Sequence, residues 1–164
     1  MQEESQLPVK EGDLAPLFSA LSTGGGPTVA LADLRGKNVV LYFYPRDNTP
    51  GCTVEACAFR DQTDEFKKRD VVVLGVSADS AASHEKFARR FRLPFALLAD
   101  ADKAIARAYG AWGEKSFLGR KYMGMRRITF LIGPDGRIRK IWRKVKPAQH
   151  PAEVLAAVPA TGGA

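Results

Sequence analysis

The sequence predicts an α/β fold: a mixed central sheet flanked by helices, with a hairpin extension near the N-terminus. Three observations carry this. Short apolar runs alternate with helical patterns through residues 39–44, 52–69, 71–79, 84–93, 95–99 and 102–109, the order that builds β-α-β units. The stretch VVVLGVSAD, residues 71–79, is apolar almost throughout, as expected of a parallel strand covered on both faces. Two strand-like segments, 127–132 and 137–145, flank the turn from Gly133 to Gly136 and must pair antiparallel. Right-handed crossovers make the first strong strands parallel, so the late hairpin makes the sheet mixed.

Taken in order, residues 1–13 read as a loose lead-in and 160–164 as a loose tail. Segments 17–21 and 28–31 are strand-like around STGGGP, a hairpin turn longer than the tight two-residue type. Residues 31–36 form one helical turn ended by Gly36. Residues 39–44 are the first strong strand, followed by a loop punctuated by Pro45, Asn48, Pro50 and Gly51. A helix then runs from Cys52 to about Arg69, with Val54, Cys57, Ala58, Phe59 and Phe66 at roughly helical spacing. Ser80 or Ser83 caps the helix over 84–93, and Pro94 stops it. A short strand at 95–99 and a short helix at 102–109 follow. Residues 110–125, with four glycines, Trp112 and Phe117, read as a long ordered loop of the kind that tends to be functional. A final helix covers 148–158. No repeat and no domain boundary interrupts the chain, so 1–164 is expected to be one domain. With a cysteine where the first strong strand hands over to its helix, the plan is thioredoxin-like.

Composition narrows the function classes. The chain has 164 residues, 45% hydrophobic and 26% charged, the balance of an ordinary soluble domain with a core of its own. No apolar run approaches the ~20 residues that span a bilayer, and the polar, partly acidic start is unlike a signal peptide. A cytoplasmic location is therefore expected, where two cysteines suit catalysis, redox sensing or burial better than a permanent staple. The net charge of +7 is concentrated late, at Arg120, Lys121, Arg126 and Arg127 and again between Arg137 and Lys146. The second group largely alternates with Ile138, Ile141 and Val145, which suits the solvent face of a strand near a sheet edge. No zinc-ligand spacing or RNA-binding motif accompanies it, and no nucleic-acid partner is expected.

Both cysteines lie in YFYPRDNTPGCTVEAC, residues 42–57. Cys52 falls at a loop-to-helix junction, where unpaired backbone N–H groups and the helix dipole favour a thiolate. Pro45 and Pro50 can wall such a site, and the Thr49 hydroxyl can hold a hydroxylic substrate against the sulfur. An arginine could stabilise the thiolate and polarise a bond under attack. His84 and His150 are the only histidines and lie far away in sequence, so a Cys–His pair and a two-histidine metal site both lack support. Cys57 follows Cys52 by five residues. On an intact helix this places the two Cα atoms roughly 8.5 Å apart, beyond the ~7 Å reach of a disulfide. Either Cys57 is an inward-facing apolar filler, or the pair bonds only after the helix unwinds.

The motif PRDNTPGCT resembles the P-x-x-x-T-x-x-C signature of peroxiredoxins. The longer string is similar to the bacterioferritin-comigratory-protein, or Q, subfamily. EGDLAPLFSA, VVLGVSAD, LPFALLAD, YGAWGEKSFLGRKYMG and RRITFLIGPDGRI extend the resemblance over nearly the whole chain. It implies a thioredoxin-like fold and a thiol peroxidase acting on hydrogen peroxide and organic hydroperoxides. It also implies roles: Cys52 peroxidatic, Cys57 resolving, Pro45 shielding, Thr49 peroxide-binding, and Arg127 the distant arginine, with Arg126 one position off the pattern. Arg46, Asp47 and Asn48 fall at variable positions of the motif. No metal, flavin or haem is implied; thioredoxin or a similar dithiol is the implied reductant, and a monomer the implied state. The competing readings are a thiol–disulfide exchange protein and a redox-sensing nucleic-acid-binding protein.

Overall fold

The computed structural model describes residues 7–23 and 28–158. The turn of the N-terminal hairpin, most of the lead-in's first half and the tail lie outside the described residues. Nine strands and five α-helices follow in chain order among those described. The central sheet comprises β3 (Asn38–Phe43), β4 (Val71–Ser77), β5 (Ala96–Ala99), β8 (Ile128–Ile132) and β9 (Ile138–Trp142), in the spatial order β5-β4-β3-β8-β9. β3 runs parallel to β4, and β4 to β5, whereas β8 is antiparallel to β3 and β9 to β8. This is the mixed sheet the sequence predicts. Its three inner strands are almost wholly buried, which is why they read as unbroken apolar runs.

The sheet separates two apolar layers. One side packs Val40, Tyr42, Leu97 and Leu131 against Phe59, Phe66, Phe87 and Val154. These last come from α1 (Pro50–Asp61), α2 (Thr63–Lys68), α3 (Ala81–Phe91) and α5 (His150–Ala157). The other side packs Leu41, Phe43, Val76 and Phe130 against Ile105, Ala106 and Tyr109 of α4 (Ala104–Tyr109), with Met125 beside them. Helices thus cover both faces. Among the described residues no helix is long and apolar enough to cross a membrane.

Several local expectations change. The single helix after Cys52 is two: α1 ends at Asp61 and α2 starts at Thr63, with Gln62 leaving the helical region between them. α1 also starts earlier, at Pro50, a residue preorganised for a first helical turn. Its inner face is Cys52, Glu55, Ala56 and Phe59, while Val54 is 45% exposed. The apolar spacing misled because a charged residue occupies the inner stripe. Residues 110–125 are no loop: β6 (Trp112–Phe117) and β7 (Arg120–Met125) pair antiparallel as a separate two-stranded sheet. The glycines hid this hairpin, and its turn is Leu118-Gly119, both at positive φ. Leu is an unusual occupant where Asn or Gly is the norm.

The N-terminal hairpin is short, β1 (Ser19–Ala20) against β2 (Val29–Ala30). Between these strands, just after β1, the chain reaches the β5 edge, where Ser22 bridges Leu98 and Thr23 N–H donates to Leu97 O at 3.2 Å. Ser80, not Ser83, is the N-cap of α3, its hydroxyl accepting from Ser83 N–H at 3.1 Å.

Candidate active site

β3, β4 and β5 end at one pole of the sheet. Because β8 runs the other way and pairs Ile128 with Phe43, its starting end lies at that same pole. Arg127, just before β8, is therefore delivered to the loop after β3 although 75 residues separate it from Cys52. Its Nη2 donates to Cys52 Sγ at 3.5 Å, and its Nη1 donates to Glu55 Oε1 at 2.7 Å. Gly51 makes room for this approach: a Cβ there would stand 3.2 Å from Arg127 Nη2.

Cys52 is the third residue of α1 and is buried, 1% exposed. Its first turn has no side-chain cap, since the Thr49 hydroxyl donates instead to Arg46 O at 3.1 Å. The Thr49 carbonyl starts the helix by accepting from Thr53 N–H at 2.8 Å. The first-turn N–H groups are thus left by the helix for the sulfur and whatever approaches it. Thr49 and Pro45 are both partly exposed.

Arg126 turns away, donating to Gly110 O and Glu114 O, so of the two arginines only Arg127 contacts the cysteine. Cys57 is half-buried, and both cysteines are free thiols. Five residues along α1, Cys57 points roughly 140° away from the face that holds Cys52. It is therefore not the inward filler that spacing allowed. A bond between the two sulfurs requires α1 to open.

Sequence reasoning missed three residues here. Glu55 is fully buried, and its Oε2 has no hydrogen-bond partner among the described residues. Burial pushes its carboxyl up from 4.5 to about 7, against the opposing pull of Arg127's charge and hydrogen bond. A glutamate among Cys52, Ala56 and Phe59 on one helical stripe is a signal for a buried cation, but the partner's identity needs the sheet. Asp47, placed among the variable motif positions, is buried and takes Tyr44 Oη at 2.6 Å, Ser83 Oγ at 2.7 Å and His84 Nδ1 at 2.7 Å. His84 is the third; neither histidine bonds to Cys52 among the described residues. His150 instead pins α5 to β8 through Thr129 Oγ1 at 2.8 Å. The hairpin adds Lys115, whose ammonium donates to Met125 O; burial and then the charge of Arg127 hold it below the ordinary lysine value.

Most of the chain is similar to known proteins. The AhpC/TSA family profile matches residues 12–141. Peroxiredoxin Bcp of Bacillus subtilis is 52% identical over 149 residues, covering 91% of this chain and 94% of its own. Peroxiredoxin Bcp of Escherichia coli K12 is 47% identical over 148 residues, covering 90% and 94%. Among solved structures, the bacterioferritin comigratory protein of Xanthomonas campestris, described for its alkyl peroxide reduction activity, superposes with a TM-score of 0.81. It is 40% identical over 86% of this chain and 89% of that one.

Proposed function

The chain belongs to the AhpC/TSA family as a peroxiredoxin of the Bcp group, a thiol peroxidase, and from that premise we propose that Cys52 is its peroxidatic cysteine and Cys57 its resolving one. The observation that carries the assignment is Arg127 Nη2 at 3.5 Å from Cys52 Sγ, at an uncapped helix start.

The Cys52 thiolate attacks the nearer oxygen of a peroxide held by Thr49 and Arg127, with Pro45 shielding the sulfur. The S–O bond forms as the O–O bond breaks, and the leaving oxygen departs with its electron pair, taking a proton to become water or an alcohol. Arg127 and the first-turn N–H groups meet the charge that builds on it. α1 then opens locally, and the Cys57 thiol condenses with the Cys52 sulfenic acid to a disulfide, releasing water. Exchange with an external dithiol restores both thiols and leaves the donor as a disulfide. Thioredoxin or a similar protein is the proposed donor. Hydrogen peroxide and organic hydroperoxides are the proposed substrates. The alkyl peroxide activity of the Xanthomonas relative supports the second class. A single-domain cytoplasmic monomer completes the proposal.

The test is the intact mass of the reduced protein after one equivalent of hydrogen peroxide, with free thiols counted. Loss of two hydrogens and both thiols without dimer formation supports the scheme. One added oxygen with Cys57 still free would remove Cys57 from it. A Cys52→Ser chain that still consumes peroxide with a dithiol would remove Cys52.

A further inference from the structure

Asp47 and its partners form a second buried network beside the one around Cys52. The Asp47 side chain is 2% exposed and that of His84 is fully buried. Three side-chain donors converge on the Asp47 carboxylate from Tyr44, Ser83 and His84. Burial acts to raise this carboxyl, but the hydrogen bonds from His84, Tyr44 and Ser83 outweigh it and hold it below the ordinary aspartate value. The other side of the His84 ring is also engaged, Nε2 meeting Leu98 O at 2.9 Å. The backbone N–H of Asp47 donates to Asp79 Oδ2 at 2.8 Å, which also accepts from Ser77 Oγ at 2.7 Å. Just upstream, Tyr44 N–H donates to Val76 O at 3.1 Å. One loop residue is thereby tied to the ends of β3, β4 and β5 and to α3.

Ligand atoms of Asp47, Asp79 and His84 lie within 4.8 Å of one another, a spacing that could hold a cation. The Asp47 and Asp79 oxygens closest to the cluster already accept two donors each within it, so the group reads as a closed hydrogen-bonded anchor. Among the described residues, no hydrogen bond joins this anchor to Arg127 or Glu55.

We propose that Asp47, seated by His84 and Ser83, is a positioning residue for peroxide binding. It fixes the segment from Pro45 to Thr49 so that the Thr49 hydroxyl and the Pro45 ring keep their places over Cys52. The link to Thr49 is short: its hydroxyl donates to the carbonyl of Arg46, the residue bonded to Asp47. Asn48 between them holds a left-handed conformation, φ 64°, which an unanchored asparagine would not be obliged to keep. The anchor sits ahead of α1 and depends on none of its hydrogen bonds, so opening α1 toward Cys57 leaves it in place. This inference rests on the assignment of Cys52 as the peroxidatic thiol.

Two networks that share no bond make two separable effects. Arg127 and Glu55 act on the sulfur's charge; Asp47 acts on where the peroxide sits. In Asp47→Asn, the second-order rate of Cys52 oxidation by hydrogen peroxide should fall roughly 10- to 100-fold, the scale of a small misplacement of a binding group. Alkylation of Cys52 by iodoacetamide, read on the Cys52 peptide, should stay within about twofold, because that reagent needs the thiolate and not Thr49. Adding His84→Gln to Asp47→Asn should cost less than His84→Gln alone, since both act through one anchor. A folded Asp47→Asn chain with an unchanged peroxide rate would overturn the inference. So would equal losses in both reactions. If Asp47→Asn does not fold, Ser83→Ala removes one donor and carries the same test, with a roughly two- to fivefold fall in the peroxide rate alone, the scale of one hydrogen bond. A wild-type chain alkylated normally but inert to peroxide would instead overturn the functional assignment itself.

Discussion

Replacing Glu55 by Gln should remove a pH-dependent cost that the wild-type protein carries beside Arg127. Glu55 is fully buried, receives Arg127 Nη1 on Oε1, and has no partner for Oε2 among the described residues. Burial dominates over the arginine and lifts the carboxyl to about 7 from 4.5. The ionised form is then about 3 kcal/mol costlier in the folded protein than in the unfolded chain. The sign follows from linkage. Below 4.5 the group is protonated in both states and costs nothing. Between 4.5 and about 7 the unfolded chain ionises while the folded protein does not, so stability falls as pH rises. Above about 7 the full cost applies. Gln matches the protonated carboxyl in shape and still offers Arg127 an acceptor, so the variant lacks this slope. The assay is urea unfolding of the reduced proteins from pH 4.5 to 8, read as wild type minus variant. The difference matters because His150, lowered chiefly by burial, acts in the opposite direction in an overlapping window and is common to both proteins. The expected difference moves by about 3 kcal/mol in favour of Glu55→Gln across that range. A difference that does not vary with pH, or moves the other way, would refute the dominance of burial over the Arg127 pair.

Other outcomes follow from the same geometry. Arg127→Ala should slow peroxide attack by about 10²- to 10³-fold, the cost of losing one donor to developing charge. Stopped-flow oxidation checks this, and an equal loss in Arg126→Ala would transfer the role. Cys57→Ser should leave the first oxidation as fast as in wild type but stop the reaction at one added oxygen by mass; unchanged dithiol-dependent turnover would show that Cys57 does not resolve. Leu118→Asn should stabilise the protein by about 1 kcal/mol in urea melts at an unchanged peroxide rate, because Leu118 holds φ 52° at an exposed hairpin tip. Lower stability in that variant would mean the leucine side chain has a packing role that its 86% exposure does not suggest.

The α/β class, the mixed sheet and the placement of Cys52 at a helix start were legible because they depend on local periodicity and turn chemistry, which a linear string displays. The hairpin at 112–125 was not, since its glycines and exposed apolar tip obscure the two-residue alternation. Nor was the break at Gln62, which no proline or glycine marks. Arg127 could be named from resemblance to a family, yet its contact with Cys52 exists only because β8 runs antiparallel to β3 and starts where β3 ends. The same holds for Glu55 and Asp47. Their burial and charge state depend on an arginine 72 residues away in one case and a histidine 37 residues away in the other. By itself the sequence determined most of the elements and the placement of Cys52 near a helix start, because neighbours along the chain specify these. Tertiary structure decided which charges face that sulfur and what holds its loop, because Coulomb and hydrogen-bond energies depend on distances in space that only the folded sheet sets.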